Sequence, residues 1–341
     1  SRQPSWVQII SRVYKLQSYQ DLEPIKSLCS RVQKALSEPN RQAKRNGLMS
    51  EFLIGDIEVT RIIEMEGPDF APFEFFPDCT PEMLKPHLGW LQPRFLDPTN
   101  GKLVFAIQSY LLRTNHHTIL IDSCVGENKE RTRFPNWNLR KNTDYIAKLA
   151  AAGVSPESID YVLCTHLHAD HVGWNTRLVD DRWVPTFANA RYLFTRNEHD
   201  FWQAKSAKNP RKYDDGCYQD SVLPIIEAGQ ALIVDQDHAL DDQIWLEPSP
   251  GHTPGHVSIR ARSGDSEAVF SGDLMHNVLQ CIYPDLVSRA CFDKPLARQT
   301  RRTFLECYCD KPIQVMTAHF PSPSSGHIHR HGNSYRFSYS H

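Results

Sequence analysis

The sequence lacks the features of membrane-spanning, disordered and nucleic-acid-binding proteins. In 341 residues, no stretch approaches the roughly 20 apolar residues that a membrane helix needs. The 38 basic and 40 acidic residues nearly balance, so no overall charge favours nucleic acid or an anionic membrane as a partner. A hydrophobic fraction of 40% without repeats or low-complexity segments is typical of a globular protein. We therefore predict a folded protein that binds neither nucleic acid nor membrane.

Cysteine motifs are also missing, although the chain contains nine cysteines. None of them forms a CxxC pair, and their scattered spacing matches neither a disulfide framework nor a zinc knuckle. We predict that most are free thiols in a reducing compartment, which favours a cytoplasmic location. A leader segment removed before Ser1 stays open as an alternative.

The first 50 residues differ from the rest in charge and in pattern. They hold nine basic and three acidic residues, a net charge of +6 that leaves −8 for the remainder. Apolar residues recur at helical spacing in 10–16 and 25–36, which predicts two amphipathic helices. We predict an N-terminal helical extension and linker over 1–50 and a main domain over 51–341. The extension would pack on that domain or on a second copy, giving a homodimer; the remains of a targeting segment are the other interpretation.

From residue 51 onward, short strands give way to alternating strands and helices. Two apolar runs at 103–112 and 118–121 flank a polar turn and predict a hairpin. The elements predicted after it are a helix over 143–152, strands over 159–165 and 191–195, a helix over 198–205, strands over 231–234, 243–247, 257–260 and 267–271, a helix over 296–307 and a strand over 313–317. This order is typical of sheets flanked by helices, so we predict the α/β class.

Two aromatic segments do not follow this pattern. The segment 70–95 combines phenylalanines with many prolines and predicts no regular element. It either covers the core or forms an aromatic wall of a substrate pocket. Phe134 and Trp137 likewise either anchor their loop or line that pocket. An aromatic pocket would favour a small-molecule substrate with an apolar body.

Four candidate metal ligands lie in one short segment directly after the predicted strand 159–165. They are His166, His168, Asp170 and His171. Crowded imidazoles and a carboxylate repel each other or stay unsatisfied without a cation, so we predict a metal site. These donors without cysteine favour zinc, iron, manganese or cobalt. Because so short a turn cannot wrap four ligands round one ion, two adjacent ions fit better than one.

Three more candidate ligands stand near strand ends further along the chain. A turn fixed by glycine and proline presents His252, one strand ends at Asp273, and the last predicted core strand leads to His319. The Asp273 carboxylate is able to bridge two cations. Singly, each residue has an ordinary structural explanation. Together with the first segment, they complete two coordination shells.

In this order, the motifs resemble the metallo-β-lactamase superfamily over about residues 52–335. The resemblance implies a four-layer αβ/βα metallo-β-lactamase sandwich with an N-terminal helical extension, and a hydrolase domain over 51–341. The implied metal ligands are His166, His168 and His252 for one ion, Asp170, His171 and His319 for the other, and Asp273 as the bridge. Asp122 matches the family's first motif, a carboxylate that orients the site, and His256 is expected beside the ligands.

The segment from Gly272 to His276 is similar to the methyl parathion hydrolase and lactonase branch of that superfamily, as are 291–301 and 318–328. Lactone hydrolases of this branch often have a tyrosine where this chain has His276. The resemblance also implies that His327 lies in the pocket or beside the metal ligands. For the C-terminal set of His327, His329, His331 and His341, we predict no additional metal site.

The predicted function is a dinuclear metal-dependent hydrolase that cleaves a small ester, lactone or related bond, a phosphotriester included. Zinc is the first choice for the two divalent ions, with manganese, cobalt or iron as alternatives. A water bridging the ions would attack as hydroxide, because zinc lowers the pKa of bound water to about 7. We predict catalytic roles for Asp170 as proton acceptor and for His276 as donor to the oxyanion or leaving group.

Three other functions fit parts of the sequence. An iron-dependent oxidoreductase on the same fold needs one ion, and a complete second ligand set counts against it. A nuclease has only the basic segment 1–50 in its favour. A non-catalytic metal-binding sensor could keep every ligand.

Overall fold

The structure is a computed structural model that describes residues 52–209, 211 and 214–340. The two helices predicted for 1–50, and with them the N-terminal extension, lie outside the described residues, as does His341. In the part that is described, no helix is both long and apolar enough to cross a membrane.

The described strands form two main sheets and one small hairpin. Sheet I has the order β1-β2-β3-β4-β5-β8-β9, sheet II has the order β10-β11-β12-β13-β14-β15, and β6 pairs with β7. The strands of sheet I are β1 Phe52–Ile54, β2 Ile57–Phe70, β3 Leu103–Arg113, β4 Thr118–Ile121, β5 Tyr161–Leu163, β8 Arg191–Thr195 and β9 Ala231–Val234. Those of sheet II and the hairpin are β10 Ile244–Pro248, β11 Val257–Ser263, β12 Ser266–Phe270, β13 Ile313–Met316, β14 Ser325–His331, β15 Ser334–Tyr339, β6 Thr176–Val179 and β7 Arg182–Pro185.

The described α-helices are mostly short. They are α1 Pro72–Phe75, α2 Pro81–Leu84, α3 Leu88–Leu91, α4 Tyr145–Ala151, α5 Ala169–Val172, α6 Arg196–Lys208, α7 Leu223–Glu227, α8 Leu279–Ile282 and α9 Lys294–Tyr308. Helix α9 shows why such segments form. Asp293 caps it by accepting a hydrogen bond from Leu296 N at 3.0 Å, and its buried residues recur at helical spacing.

The core has the layers expected of a sandwich flanked by helices. Ile121 and Leu163 of sheet I pack against Val257 and Met316 of sheet II in the central cluster. On the outer face of sheet I, a second cluster includes residues of α4, α6 and α7. On the outer face of sheet II, a third includes residues of α8 and α9. The predicted αβ/βα arrangement is therefore confirmed.

Parallel pairing brings several strand ends to the same edge. β4, β5, β8 and β9 run parallel within sheet I, and β12 and β13 run parallel within sheet II. The carboxyl ends of β4, β5, β12 and β13 lead into segments that carry the candidate metal ligands or their partners. Polar side chains from distant parts of the chain consequently meet at one edge, between the sheets.

The structure contains several elements that were not predicted from the sequence, among them α5, α7 and α8. Residues 72–91 contain three one-turn helices, where no regular element was predicted; proline at the start of α1 and α2 suits a first helical turn. The hairpin of β6 and β7 was missed. So was the hairpin of β14 and β15, which contains His327, His329 and His331.

Candidate metal centre

The seven predicted metal ligands meet at this edge of the two sheets. His166 and His168 follow β5, while Asp170 and His171 lie in α5. Sheet II supplies the other three: His252 from the turn between β10 and β11, Asp273 after β12, and His319 after β13. The side chains form two ligand groups in which all donor atoms lie within 4.8 Å of one another.

The first ligand group contains His166, His168, His252 and Asp273. Nδ1 of His168 lies 2.9 Å from Nε2 of His166 and 2.8 Å from Nε2 of His252. Oδ2 of Asp273 lies 3.1 Å from Nε2 of His252 and 3.6 Å from that of His166. Three ring nitrogens and one carboxylate oxygen thus surround a common point.

The second ligand group contains Asp170, His171 and His319. Oδ2 of Asp170 lies 3.5 Å from Nε2 of His171 and 3.6 Å from Nε2 of His319. The other oxygen of Asp273, Oδ1, lies 3.2 Å and 2.9 Å from the same two nitrogens. Asp273 therefore presents one oxygen to each group, which is the geometry of a bridging carboxylate.

Hydrogen bonds on the far side of the rings fix their orientation. The partners are Thr165 Oγ1 for His166 at 3.1 Å, Asp122 Oδ2 for His171 at 2.8 Å, Cys291 Sγ for His252 at 3.4 Å and Ala106 O for His319 at 3.0 Å. In each case, the outer atom is Nδ1, so Nε2 faces the ligand group. Such outer contacts set the tautomer and orientation of metal-binding histidines.

Asp122 and His256 support the ligands without belonging to either group. Asp122 also accepts hydrogen bonds from the backbone N–H of Thr165 at 2.8 Å and from its hydroxyl. Nε2 of His256 accepts the backbone N–H of Asp273 at 2.9 Å, which fixes the bridging residue. A Cβ on Gly272, whose φ is +51°, would lie 2.6 Å from that nitrogen, so this position needs glycine.

Burial and charge act in opposite directions on the pKa values of the site. Burial lowers the pKa of both His166 and His252 well below the usual range, which keeps their rings neutral as metal binding requires. Burial alone would raise the pKa of the Asp273 carboxyl, but the surrounding imidazoles hold it well below its usual range. Burial would lower the pKa of His171, but three carboxylates, led by Asp273, raise it well above the usual range.

The donor set fits two divalent cations. Ala106 O accepts from Nδ1 of His319, and the Thr165 hydroxyl, which donates to Asp122, accepts from Nδ1 of His166. When neutral, these two rings therefore carry a lone pair on the inward Nε2. Nε2 of His171 and Oδ1 of Asp273 are buried and lack a hydrogen bond. Buried atoms of this kind are satisfied when a cation lies between them. The two groups are therefore suited to dinuclear metal binding.

His276 lies closer to the ligands than the sequence indicated. Its Nε2 is 3.1 Å from Oδ2 of Asp273, and its ring stacks on that of His319 with centroids 5.5 Å apart. With Asp273 and His319, it forms a third set whose donor atoms lie within 4.8 Å of one another. The ring is buried against Phe75, and Nδ1 has no hydrogen-bond partner.

Two buried glutamates that sequence reasoning missed hold the loops around the site. Glu198 accepts hydrogen bonds from Leu167 N at 3.0 Å, Gly255 N at 2.9 Å and Trp202 Nε1 at 2.7 Å. It thereby joins the segments before His168 and after His252. Glu64 makes a similar set with Val125 N, Gly126 N and Trp174 Nε1. Burial raises the pKa of both carboxyls.

A cavity of about 620 Å³ opens onto the metal ligands. Its lining includes His168, Asp170, Asp273, His276 and His319 together with Phe70, Phe75, Phe105, Phe134, Trp137, Phe201, Trp202 and Phe292. The two aromatic segments, 70–95 and the one with Phe134 and Trp137, each contribute both to the packing of their own region and to the cavity lining. Phe70 and Phe75 line the cavity while Phe76 is core, and Trp137 lines the cavity while its Nε1 anchors the loop on Asp69 at 3.1 Å.

The described histidines of the C-terminal set belong neither to the ligand groups nor to the cavity lining. His327, His329 and His331 are on β14, and none of the metal-binding groups found among the described residues includes them. The implied position of His327 in the pocket is wrong, because it is not among the lining residues and its ring lies near that of His329.

The αβ/βα sandwich fold and the candidate metal site are together those of a metal-dependent hydrolase. The model of the metallo-beta-lactamase superfamily matches residues 103–305, and the chain belongs to that superfamily. An N-acyl homoserine lactonase of Bacillus cereus is 26% identical over 227 residues, 63% of this chain and 82% of that protein. The N-acyl homoserine lactonase AttM of Azorhizobium caulinodans is 30% identical over 130 residues, 36% of this chain and 44% of that protein.

Solved structures agree with this fold. The dizinc quorum-quenching lactonase AidC superposes with a TM-score of 0.69 at 21% identity, over 85% of this chain and 96% of that one. The hydrolase AbOPH gives the same TM-score and coverage at 23% identity. These likenesses concern the fold. The family model confirms the predicted superfamily, and the named relatives support its lactonase-like branch.

Proposed function

We propose that the chain is a dinuclear zinc hydrolase that opens lactones or cleaves small esters. The observation that carries the proposal is the position of Asp273, whose two oxygens face two separate ligand groups. The proposed zinc ligands are His166, His168 and His252 for one ion, Asp170, His171 and His319 for the other, and Asp273 for both. Imidazole and carboxylate donors without thiolate are typical of hydrolytic zinc sites.

The lactone as substrate is supported by the curated relatives, which are named as N-acyl homoserine lactonases. The aromatic lining of the cavity adds a physical argument. Eight aromatic side chains surround the route to the ligands, so an apolar substrate body would be desolvated there. A ring or ester attached to an apolar chain fits this cavity better than a strongly polar molecule.

The chain's own residues would handle the protons of the reaction. Two divalent cations, when held by these ligands, would supply an activated water and Lewis-acid polarisation of the substrate's carbonyl group. Asp170 lines the cavity, and its carboxylate would accept the proton of the attacking water. His276 also lines the cavity and would donate a hydrogen bond to the oxygen that gains charge.

The proposal is tested with zinc-reconstituted protein on one panel of substrates. The panel contains aliphatic lactones, aryl esters, a phosphotriester and a β-lactam, and the zinc content is measured in parallel. We expect two zinc ions per chain and turnover of lactones or esters. A chain that binds two ions and hydrolyses nothing on the panel would contradict the proposal and favour a sensor.

Variants of the two proton-handling residues test their catalytic roles, with the zinc content of each variant measured in parallel. Asp170→Asn and His276→Ala should both lower kcat strongly. His276→Ala should retain two zinc ions if His276 acts only on the substrate, and should lose zinc if it is a ligand. Full activity of Asp170→Asn with both ions bound would rule out its role as proton acceptor, and unchanged turnover of His276→Ala would rule out its role as donor.

A further inference from the structure

The cavity above the metal ligands combines aromatic walls with cations. Arg133, Lys205 and Arg289 belong to its lining, whereas the carboxylates of the lining are Asp170 and Asp273, both proposed metal ligands. An apolar acyl chain gives no reason for cations at this place. The charges therefore indicate something about the substrate beyond an apolar body.

One wall of the cavity is a row of rings that ends at Arg289. The ring of Phe75 is 5.2 Å from that of His276 and 4.9 Å from that of Phe70, and the Arg289 guanidinium lies 5.8 Å above Phe70. The backbone N–H of Arg289 donates to Phe75 O at 2.8 Å, which fixes the start of this side chain against the row. The row thus leads from the reacting end of the cavity to an exposed cation.

The facing wall repeats this arrangement with other residues. The ring of Trp202 is 5.4 Å from that of His168 and 5.4 Å from that of Phe201. Lys205 Nζ lies 5.4 Å from the centre of the Phe201 ring and 5.2 Å from that of Phe292. Both rows therefore begin at a histidine of the metal centre and end at a cation.

Of these cations, Arg289 is the one suited to meet a ligand. Arg133 already donates to Asp215 Oδ1 at 3.2 Å. In the portion of the chain that the structure describes, no carboxylate forms an ion pair with Arg289, and the residue is exposed. A planar guanidinium with free donors recognises a carboxylate through two parallel hydrogen bonds.

Resting on the proposed function, we infer that the substrate carries a carboxylate at the end remote from the bond that is cleaved. The lactone or ester would lie at the metal ligands, its apolar body would run along Phe75 and Phe70, and its carboxylate would meet Arg289. Lys205, on the facing wall, would add to the positive potential around that carboxylate. The preferred substrate class is thus an amphiphilic monoanion and not a neutral acyl lactone.

The test compares two substrates that differ only at the remote end. Aryl esters of a medium-length alkanedioic acid, one with a free terminal carboxylate and one with a terminal carboxamide, are hydrolysed by the zinc-loaded protein. Wild type should prefer the carboxylate in kcat/KM by about two- to fivefold, as expected of a solvent-exposed ion pair. Because the pair is exposed, the preference should fall as salt increases.

Arg289→Met should abolish the preference by slowing hydrolysis of the carboxylate ester far more than that of the carboxamide, since methionine keeps an apolar contact with Phe70. Arg336→Met is the matched control, because Arg336 is an exposed arginine on β15 outside the cavity lining. Equal rates for both substrates, faster hydrolysis of the carboxamide, or equal slowing of both by Arg289→Met would overturn the inference. All three leave the hydrolase proposal intact, whereas no hydrolysis of either ester or of the lactone panel would contradict the hydrolase proposal itself.

Discussion

Removing the Glu198 carboxylate should loosen two loops of the metal centre at once. The side chain is 1% exposed, and its two oxygens accept three hydrogen bonds from buried donors. In Glu198→Ala, two backbone N–H groups and one indole N–H lose their acceptor. Each unsatisfied buried donor costs about 1–3 kcal/mol, so we expect a loss of about 3–9 kcal/mol in the free energy of unfolding.

Glu198→Gln provides a graded comparison, because the three bonds are divided unequally. Oε1 accepts from Leu167 N and Trp202 Nε1, whereas Oε2 accepts only from Gly255 N. A glutamine with its carbonyl oxygen in the place of Oε1 keeps two bonds and loses one. We therefore expect a loss of about 1–3 kcal/mol for this variant.

Urea unfolding of the zinc-loaded and the chelated protein measures both losses. Glu227→Ala is the control, because Glu227 is an exposed residue of α7 and its removal should change stability by less than about 0.5 kcal/mol. The reasoning is refuted if Glu198→Ala costs no more than this control, or if the alanine and glutamine variants are equally destabilised. The zinc affinity of Glu198→Ala should also fall, since the loops that carry His168 and His252 lose their common anchor.

Three further changes test other parts of the structure. Burial lowers the pKa of Lys129 from 10.5 to about 7, so between these values the unfolded chain binds one proton more than the folded chain, and stability rises with pH. Lys129→Met should remove this rise, about 1.4 kcal/mol per pH unit, from urea unfolding between about pH 7.5 and 9.5. Gly272→Ala should cost about 2 kcal/mol more than Gly332→Ala in the same measurement, because both positions have positive φ but only the first has a close neighbour. Asp122→Asn should lower zinc affinity about 10- to 100-fold in chelator competition, because the amide replaces one of the oxygens that orient the site.

Each of these changes has an outcome that contradicts its reasoning. A wild-type stability that stays flat across the stated pH range would show that Lys129 keeps its ordinary pKa. If Gly272→Ala and Gly332→Ala lose the same free energy of unfolding, the whole loss comes from the positive φ and not from the close neighbour of Gly272. Unchanged zinc affinity in Asp122→Asn would mean that the histidine ring is held in place without this carboxylate.

The grouping of the candidate metal ligands was predictable because most of it is visible in short segments of the sequence. His166, His168, Asp170 and His171 are crowded into one segment, and His252, Asp273 and His319 each follow a strand or a turn that can be recognised in the sequence. Continuous apolar runs placed β3, β4 and β8 correctly for the same reason. Where residues close together in the sequence determine the local structure, the sequence was sufficient to predict that structure.

The missed features depend on contacts between distant residues. Glutamate is ordinarily a surface residue, and nothing next to Glu64 or Glu198 in the sequence indicates burial. Their role exists only because Val125 lies 61 residues from Glu64, and Gly255 lies 57 residues from Glu198, with an N–H pointing inward. The distance between His276 and Asp273 was likewise beyond prediction, because it depends on how Phe75 packs against the ring.

The division of the candidate ligands between the sheets would make a bound ion a cross-link between them as well as part of a catalytic site. Each ligand group takes residues from sheet I and from sheet II, so an ion bound by either group opposes separation of the sheets. By mass action, an ion present at a hundredfold excess over its Kd adds about 2.7 kcal/mol to the stability of the fold. Two such ions would contribute a large part of the stability of an ordinary domain. The supply of zinc would therefore govern the lifetime of the folded protein together with its activity.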